Sequence, residues 1–175
     1  MELINQLLDL SKIEAGKFEI KNTRFNLFQT LESILSVFSQ SARNKKLYYK
    51  TNISEDIPTF LLGDSLQLRE IIINLVGNAI KFTKKGGISI SASIQKETDT
   101  EITLYFEVTD TGIGIPKENQ KIIFDPFVQV EDSLTRRFGG TGLGTAISKQ
   151  LVTMSDGDVE MMRKVGKGST FWFTI

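Results

Sequence analysis

The 175-residue chain suits one domain with a small appendage, and its 40% hydrophobic residues permit a proper core. Lys+Arg and Asp+Glu balance at 21 each, which leaves no broad basic footprint for nucleic acid or anionic lipid. The chain has no Cys and no His, so disulfides, thiolate metal sites and imidazole bases are excluded.

In MELINQLLDLSKIEAG, Leu3, Ile4, Leu7, Leu8 and Leu10 have helical spacing and Gly16 is the expected stop. A helix beginning at residue 1 reads as the end of something longer, or as a helix packed on its own domain. Glu2, Asn5 and Gln6 interrupt the stretch, so it does not read as a signal peptide. Nor does any apolar run reach the ~18 residues of a membrane span. FEIKNTRFNL (18–27) reads as extended. Phe28, Leu31, Ile34, Leu35 and Phe38 mark an amphipathic helix of roughly four turns, LYYKTNI (47–53) a short strand, and SEDIP a loop. Asp64 three residues before Gln67 is a capping-box pattern, opening a helix that runs to about Thr83. KKGG breaks it. GISISASIQ (87–95) and ITLYFEV (102–108) alternate and predict an antiparallel hairpin. A helix carrying Leu143, Ala146, Ile147 and Leu151 follows, with Gly157 as its stop. DVEMM and STFWFTI, joined by VGKG, predict a closing hairpin. The order implies an α+β fold: a two-layer sandwich with a mixed, mostly antiparallel sheet covered on one face by helices.

Four stretches invite chemistry. The helix IIINLVGNAIKF (71–82) carries Asn74 and Asn78 four residues apart, on one face. Buried amides are costly unless hydrogen-bonded, so the pair is either a satisfied detail or faces a polar ligand. Asp110-Thr111-Gly112-Ile113-Gly114-Ile115 follows a strand. Its carboxylate could accept from an exocyclic amine such as N6 of adenine, or the segment is an ordinary turn with an Asx cap. Gly139-Gly140-Thr141-Gly142-Leu143-Gly144 enters a helix, as a phosphate cradle would, with Arg136 and Arg137 just upstream. The G-x-G-x-G spacing, with no preceding strand, excludes a dinucleotide fingerprint, and no Gly-Lys-Ser/Thr makes it a P-loop. Gly166-Lys167-Gly168-Ser169-Thr170 would serve as a plain hairpin turn, although the Thr170 hydroxyl could help hold a base.

Taken in order, the Asn-x-x-x-Asn helix, DTGIGI, IFDPF, GGTGLG and GKGSTF follow the box order of the histidine-kinase catalytic domain. The chain strongly resembles that family, within the GHKL ATPase superfamily. FDPFVQVEDSLTRRFGGTGLG and GKGSTFWF are nearest in wording to hybrid sensor kinases. The resemblance implies that residues 19–175 form an ATP-binding catalytic domain. It also implies that residues 1–18 are the C-terminal end of the second dimerisation helix, and that the phosphoacceptor histidine stands on the first, outside this chain. Asn78 matches the magnesium-binding asparagine, Asp110 the adenine reader, and Phe124 and Phe127 the phenylalanine box, for which core packing is the competing reading. Gly112, Gly114, Ile115, Gly140, Thr141, Gly142, Leu143, Gly144 and Thr170 would line the ATP site. Lys81 and Arg136 would meet phosphate, and residues 128–142 would form a mobile lid. Asn74 stands where hydrolytic GHKL ATPases have a glutamate, and an amide cannot serve as that base. The expected cofactors are ATP and Mg²⁺. The expected partners are the histidine-bearing helices and a response regulator or receiver domain, with no nucleic acid and no direct membrane contact. The implied location is cytoplasmic, in a protein that an inner-membrane anchor could hold. A degenerate nucleotide-sensing scaffold and a hydrolytic GHKL ATPase are the competing functions. Two departures from the family pattern are Thr145, where Leu is usual, and MSDG (154–157).

Overall fold

A computed structural model describes residues 2–129, 141–163 and 168–175. The chain opens with α1 (Glu2–Glu14), which stops as expected at Gly16, with φ +64° and the Lys17 N–H returning to Lys12 O at 2.9 Å. Leu10 and Ile13 of this helix are buried, while Ile4, Leu7 and Leu8 stay exposed. The expected extended segment narrows to β1 (Thr23–Asn26). Asn26 ends it by capping α2 (Leu27–Asn44), accepting from the Gln29 N–H at 3.0 Å. β2 (Tyr48–Ile53) follows.

β3 (Phe60–Gly63) was not expected. It is four residues long and exists by pairing with β1, antiparallel, in a separate ribbon. Asp64 then caps α3 (Ser65–Phe82), its Oδ1 accepting from the N–H groups of Leu66 (2.9 Å) and Gln67 (3.0 Å). Only this half of the expected capping box forms. Gln67 is buried and turned toward α4 (Gly144–Met154), where Nε2 donates to Leu151 O at 2.5 Å and Oε1 accepts from the Ser155 hydroxyl at 3.0 Å. The last carbonyls of a helix lack partners of their own, so this donor is better spent there. α4 ends at Met154, earlier than Gly157. Asp156 takes the left-handed turn (φ +54°), and a side chain at Gly157 would collide with Thr174 O.

The main sheet has the order β2-β4-β5-β7-β6, with β4 (Gly87–Glu97), β5 (Ile102–Asp110), β6 (Val159–Arg163) and β7 (Ser169–Thr174). β2 runs parallel to β4 and every other pairing is antiparallel. Both expected hairpins are present. Alternation turns Ile88, Ile90, Leu104, Phe106, Val108, Phe171 and Phe173 toward the helices, and Phe106 stacks on Phe173 with centroids 4.8 Å apart. α3 lies between α2 and α4 on this face, and α1 packs against α4. Its Ile71, Ile72, Leu75 and Val76 are almost wholly buried, each contributing about 1.5–3 kcal/mol of transfer free energy. The fold is the expected two-layer α/β sandwich. No helix among the described residues is long and apolar enough to cross a membrane.

Candidate functional site

The polar ridge of α3 has three members. Glu70, Asn74 and Asn78 succeed one another at four-residue steps. Asn74 Nδ2 donates to Glu70 Oε1 at 3.4 Å, a long bond that spans one turn. The other side of the Asn74 amide faces α4: a Cβ on Gly144 would stand 3.2 Å from Asn74 Oδ1. The glycine-led first turn of α4 is therefore seated directly against the ridge. Asn78, half-buried, has no hydrogen-bond partner for its amide among the described residues. One turn on, the Lys81 ammonium lies 4.9 Å from the centre of the Phe82 ring, and partial burial lowers its pKa.

Asp110 closes β5 and is only 6% exposed. Burial raises its pKa, while hydrogen bonds from the Gly112 N–H and from the backbone N–H and hydroxyl of Ser169 pull it down. The Gly112 N–H lies 2.7 Å from Oδ1, which is the Asx turn anticipated for DTG. Gly112 has to be glycine here. A Cβ would sit 2.6 Å from Phe82 O and 2.8 Å from the carboxylate it serves. The DTG turn thus lies against the exit of α3, while the start of α4 is seated on the middle of the same helix, at Asn74. Gly114 (φ +69°) and the partly buried Ile115 continue the turn.

Beyond a 3₁₀ turn at Lys117–Asn119, Phe124 packs edge-on to Phe171 with centroids 6.2 Å apart. Phe127 does not enter the core: it is 60% exposed, with φ +64°, and its N–H donates to Gly142 O at 3.1 Å. Gly142 itself has φ +71°, and a Cβ there would lie 2.9 Å from Phe127 C. Thr141 Oγ1 accepts from the N–H of the buried Leu143 at 3.1 Å. Thr145, where the family pattern has Leu, donates its hydroxyl to Ile123 O at 2.5 Å and ties α4 to the phenylalanine segment. Arg136 and Gly140, most of the expected lid and the VGK of the closing turn lie outside the described residues.

One expected site residue is not brought in. Thr170 pairs with Thr109 across β5 and β7, their hydroxyls 2.9 Å apart, on the sheet face opposite the helices. Alternation dictates this: with Phe171 and Phe173 inward, Thr170 and Trp172 point outward, and Ser169 is the neighbour that turns inward to Asp110.

Residues 63–175 match the sequence family described as histidine kinase-, DNA gyrase B-, and HSP90-like ATPase. The chain belongs to this ATPase family. It is 42% identical over its full length to the signal transduction histidine-protein kinase BarA of Escherichia coli, of which it spans 19%. Solved structures are similar too, among them the following two. Full-length ShkA, determined in complex with AMPPNP, superposes with a TM-score of 0.84 at 31% identity, over 99% of this chain and 35% of that one. The catalytic domain of the histidine kinase ThkA gives 0.71 at 25% identity, over 90% of this chain and 97% of that one. The fold is thus that of the histidine-kinase catalytic domains.

Two residues of this ATPase domain escaped the reading of the sequence. Ser169 was legible in the strand alternation, had the inward parity of Phe171 been extended two residues back. Glu70 stands one turn before Asn74 in the same four-residue series, but a glutamate on a helix is commonplace and only the Asn74 contact singles it out.

Proposed function

We propose that this chain is the Mg·ATP-binding catalytic domain of a sensor histidine kinase, donating the γ-phosphoryl group of ATP to a histidine on a helix outside the chain. The observation that carries the reading is Asp110: a nearly buried carboxylate held by three donors at a glycine turn, beside a helix whose Asn78 amide is unclaimed by the described residues. Such a carboxylate accepts from the adenine amine and would face a lone pair on guanine, a mismatch that costs orders of magnitude.

Asn78 suits Mg²⁺, because the residue is half-buried and its amide has no partner among the described residues. Among the described residues there is no cluster of three acidic metal ligands. The ion would therefore be held by Asn78, water and the nucleotide's own phosphates, as is usual for Mg²⁺. Bound there, it would neutralise phosphate charge. Lys81, Arg136, Gly140 and the backbone from Thr141 to Gly144 are assigned to the phosphates, the last by its place at the α4 N-terminus. Gly112, Gly114, Ile115 and Phe127 are assigned to the walls. Asn74, hydrogen-bonded to Glu70, cannot take a proton from water, which favours phosphotransfer over hydrolysis.

α1 fits the end of a dimerisation helix, since it keeps one apolar face on α4 and leaves Ile4, Leu7 and Leu8 exposed. The partners would be the histidine-bearing helices of the same protein and a receiver domain, at the cytoplasmic side of a membrane or in the cytoplasm. Two measurements test the reading. Calorimetry should find binding of Mg·ATP with GTP much weaker, and a supplied helical hairpin should acquire acid-labile phosphate. Equal binding of ATP and GTP would remove Asp110 as the reader, and an unlabelled hairpin with bound ATP would leave a nucleotide sensor.

A further inference from the structure

Lys45 follows the last residue of α2, yet its side chain serves α3. Nζ donates to Ile80 O at 2.7 Å and to Lys81 O at 3.2 Å. Carbonyls in the final turn of a helix have no intrahelical N–H left to pair them. Their neighbours are accounted for in other ways. Ala79 O accepts from the Thr83 N–H (3.1 Å) and hydroxyl (2.7 Å), and Phe82 O lies against the Gly112 backbone. The ammonium therefore sits on the negative end of the α3 dipole, in the turn that carries Lys81 and directly follows Asn78.

The approach of Lys45 is itself fixed. Its N–H returns to Ala42 O at 3.1 Å, Lys46 takes φ +58°, and Leu47 N–H closes onto Ala42 O at 3.0 Å. Tyr48 N–H then donates to Gly86 O at 2.9 Å, so the start of β2 is pinned beside the exit of α3. A charged donor is held in place over two acceptors, from an element that carries none of the assigned site residues.

We propose that Lys45 is a positioning residue for the nucleotide site. By holding the carbonyls of Ile80 and Lys81 it fixes the last turn of α3, and with it the Lys81 side chain and the Phe82–Gly112 contact beneath Asp110. The inference rests on reading this cleft as a nucleotide site. Removing the donor leaves two helix-end carbonyls without their cation, so the last turn loosens. Lys81 and the DTG turn then shift together, although neither has been altered.

The test is calorimetric titration of Mg·AMPPNP into the 175-residue chain and its variants, well below each melting temperature, with hydrogen exchange followed at residues 79–83. Lys45→Met keeps the stem and loses the donor, while Lys45→Arg keeps charge and donors. We expect Lys45→Met to bind about tenfold more weakly, with Lys45→Arg within about threefold of the parent. Exchange at residues 79–83 should quicken in Lys45→Met alone. A lysine that merely stabilised the fold would lower the melting temperature and leave the affinity of the folded protein intact. That outcome would overturn the proposal, as would an arginine variant no better than the methionine. If Lys45→Met does not fold, Lys45→Gln is titrated in its place against the same bounds. Failure of the parent itself to bind Mg·AMPPNP would sink the nucleotide reading instead.

Discussion

α2 and α3 are each 18 residues long and lie side by side on the same face of the sheet. They treat their polar residues in opposite ways. On α2, Ser33, Ser36 and Ser39 return their hydroxyls to the backbone oxygens of Thr30, Ser33 and Ser36, three residues back, so each is satisfied within the helix. On α3, only Leu66 is exposed. Its Asn74 and Asn78 are half-covered, and neither amide is paired with the backbone of its own helix. Polar groups that a helix satisfies by itself mark a surface. Polar groups held under cover and left for something else mark a site.

The sharpest way to break this contrast is to truncate one residue from each set. Asn78→Ala should weaken Mg·AMPPNP binding about a hundredfold in a folded protein, since the half-covered amide proposed to hold the magnesium is lost. Ser36→Ala should leave affinity unchanged and alter stability by no more than about 0.5 kcal/mol. Calorimetry with and without magnesium reads both. Equal affinity of the two variants would erase the distinction between the helices.

The same test can be carried to the two faces of β7. Ser169→Ala removes a hydroxyl donor to Asp110 and should weaken nucleotide binding about tenfold. Thr170→Val, on the opposite face, should leave it unchanged. The Asp110 pKa is already raised by burial, and loss of the Ser169 hydroxyl raises it further. The signs are opposite for stability and for binding. Because the folded pKa exceeds the unfolded one, Asp110 contributes stability that is present below the unfolded pKa and lost as pH rises through the folded pKa. Binding needs the carboxylate, so affinity falls as pH drops through that same folded value, and the fall should come at higher pH in Ser169→Ala. Superimposable pH profiles for the two proteins would separate Ser169 from Asp110.

Within α3, Asn74→Glu probes whether its two asparagines differ from each other. A positioned general base is worth roughly 10²–10⁴-fold. The gain in phosphate release should be only a few-fold here, because Glu70 lies one turn away and two carboxylates on one ridge repel, raising the new group's pKa and blunting it as a base. Phosphate release at saturating ATP and matched occupancy is the measurement. A variant that binds normally but hydrolyses no faster would show that Asn74 does not stand where a base could reach water.

Much of this architecture is legible in the residues, and the exceptions have identifiable causes. The helices and long strands declare themselves by period, because one face of each is buried: Leu31, Ile34 and Leu35 on α2, Ile88, Ile90 and Ala92 on β4. β3 does not, because four residues carry too little alternation and the strand is created by its distant partner β1. Asp64 is readable as a cap, since its bonds are local, whereas the turn of Gln67 toward Leu151 depends on where α4 comes to rest. In the site, Asn74, Asn78 and Asp110 stand out because amides and acids are rare on buried faces. Lys45 does not, because a lysine after a helix is ordinary until the carbonyls of Ile80 and Lys81 are placed beneath it.

The smallest expected effect tests whether the two helices can be altered where they touch without touching the site. Gly77 lies in α3, in ordinary helical conformation, between the two asparagines. The nearest atom to a Cβ built there is Phe38 Cε1 of α2, at 3.8 Å, an ordinary contact distance. Glycine inside a helix costs about 0.5–1 kcal/mol relative to alanine, chiefly through the freedom it retains when unfolded. Gly77→Ala should therefore stabilise the chain by about that amount, read as a higher urea midpoint with unchanged slope, and leave Mg·AMPPNP affinity as it was. Gly144→Ala is the counterpart, since its Cβ would stand 3.2 Å from Asn74 Oδ1 and press on the ridge itself. A loss of affinity in Gly77→Ala would mean that the site reaches round α3 toward α2, and that the boundary between the satisfied helix and the working one has been drawn in the wrong place.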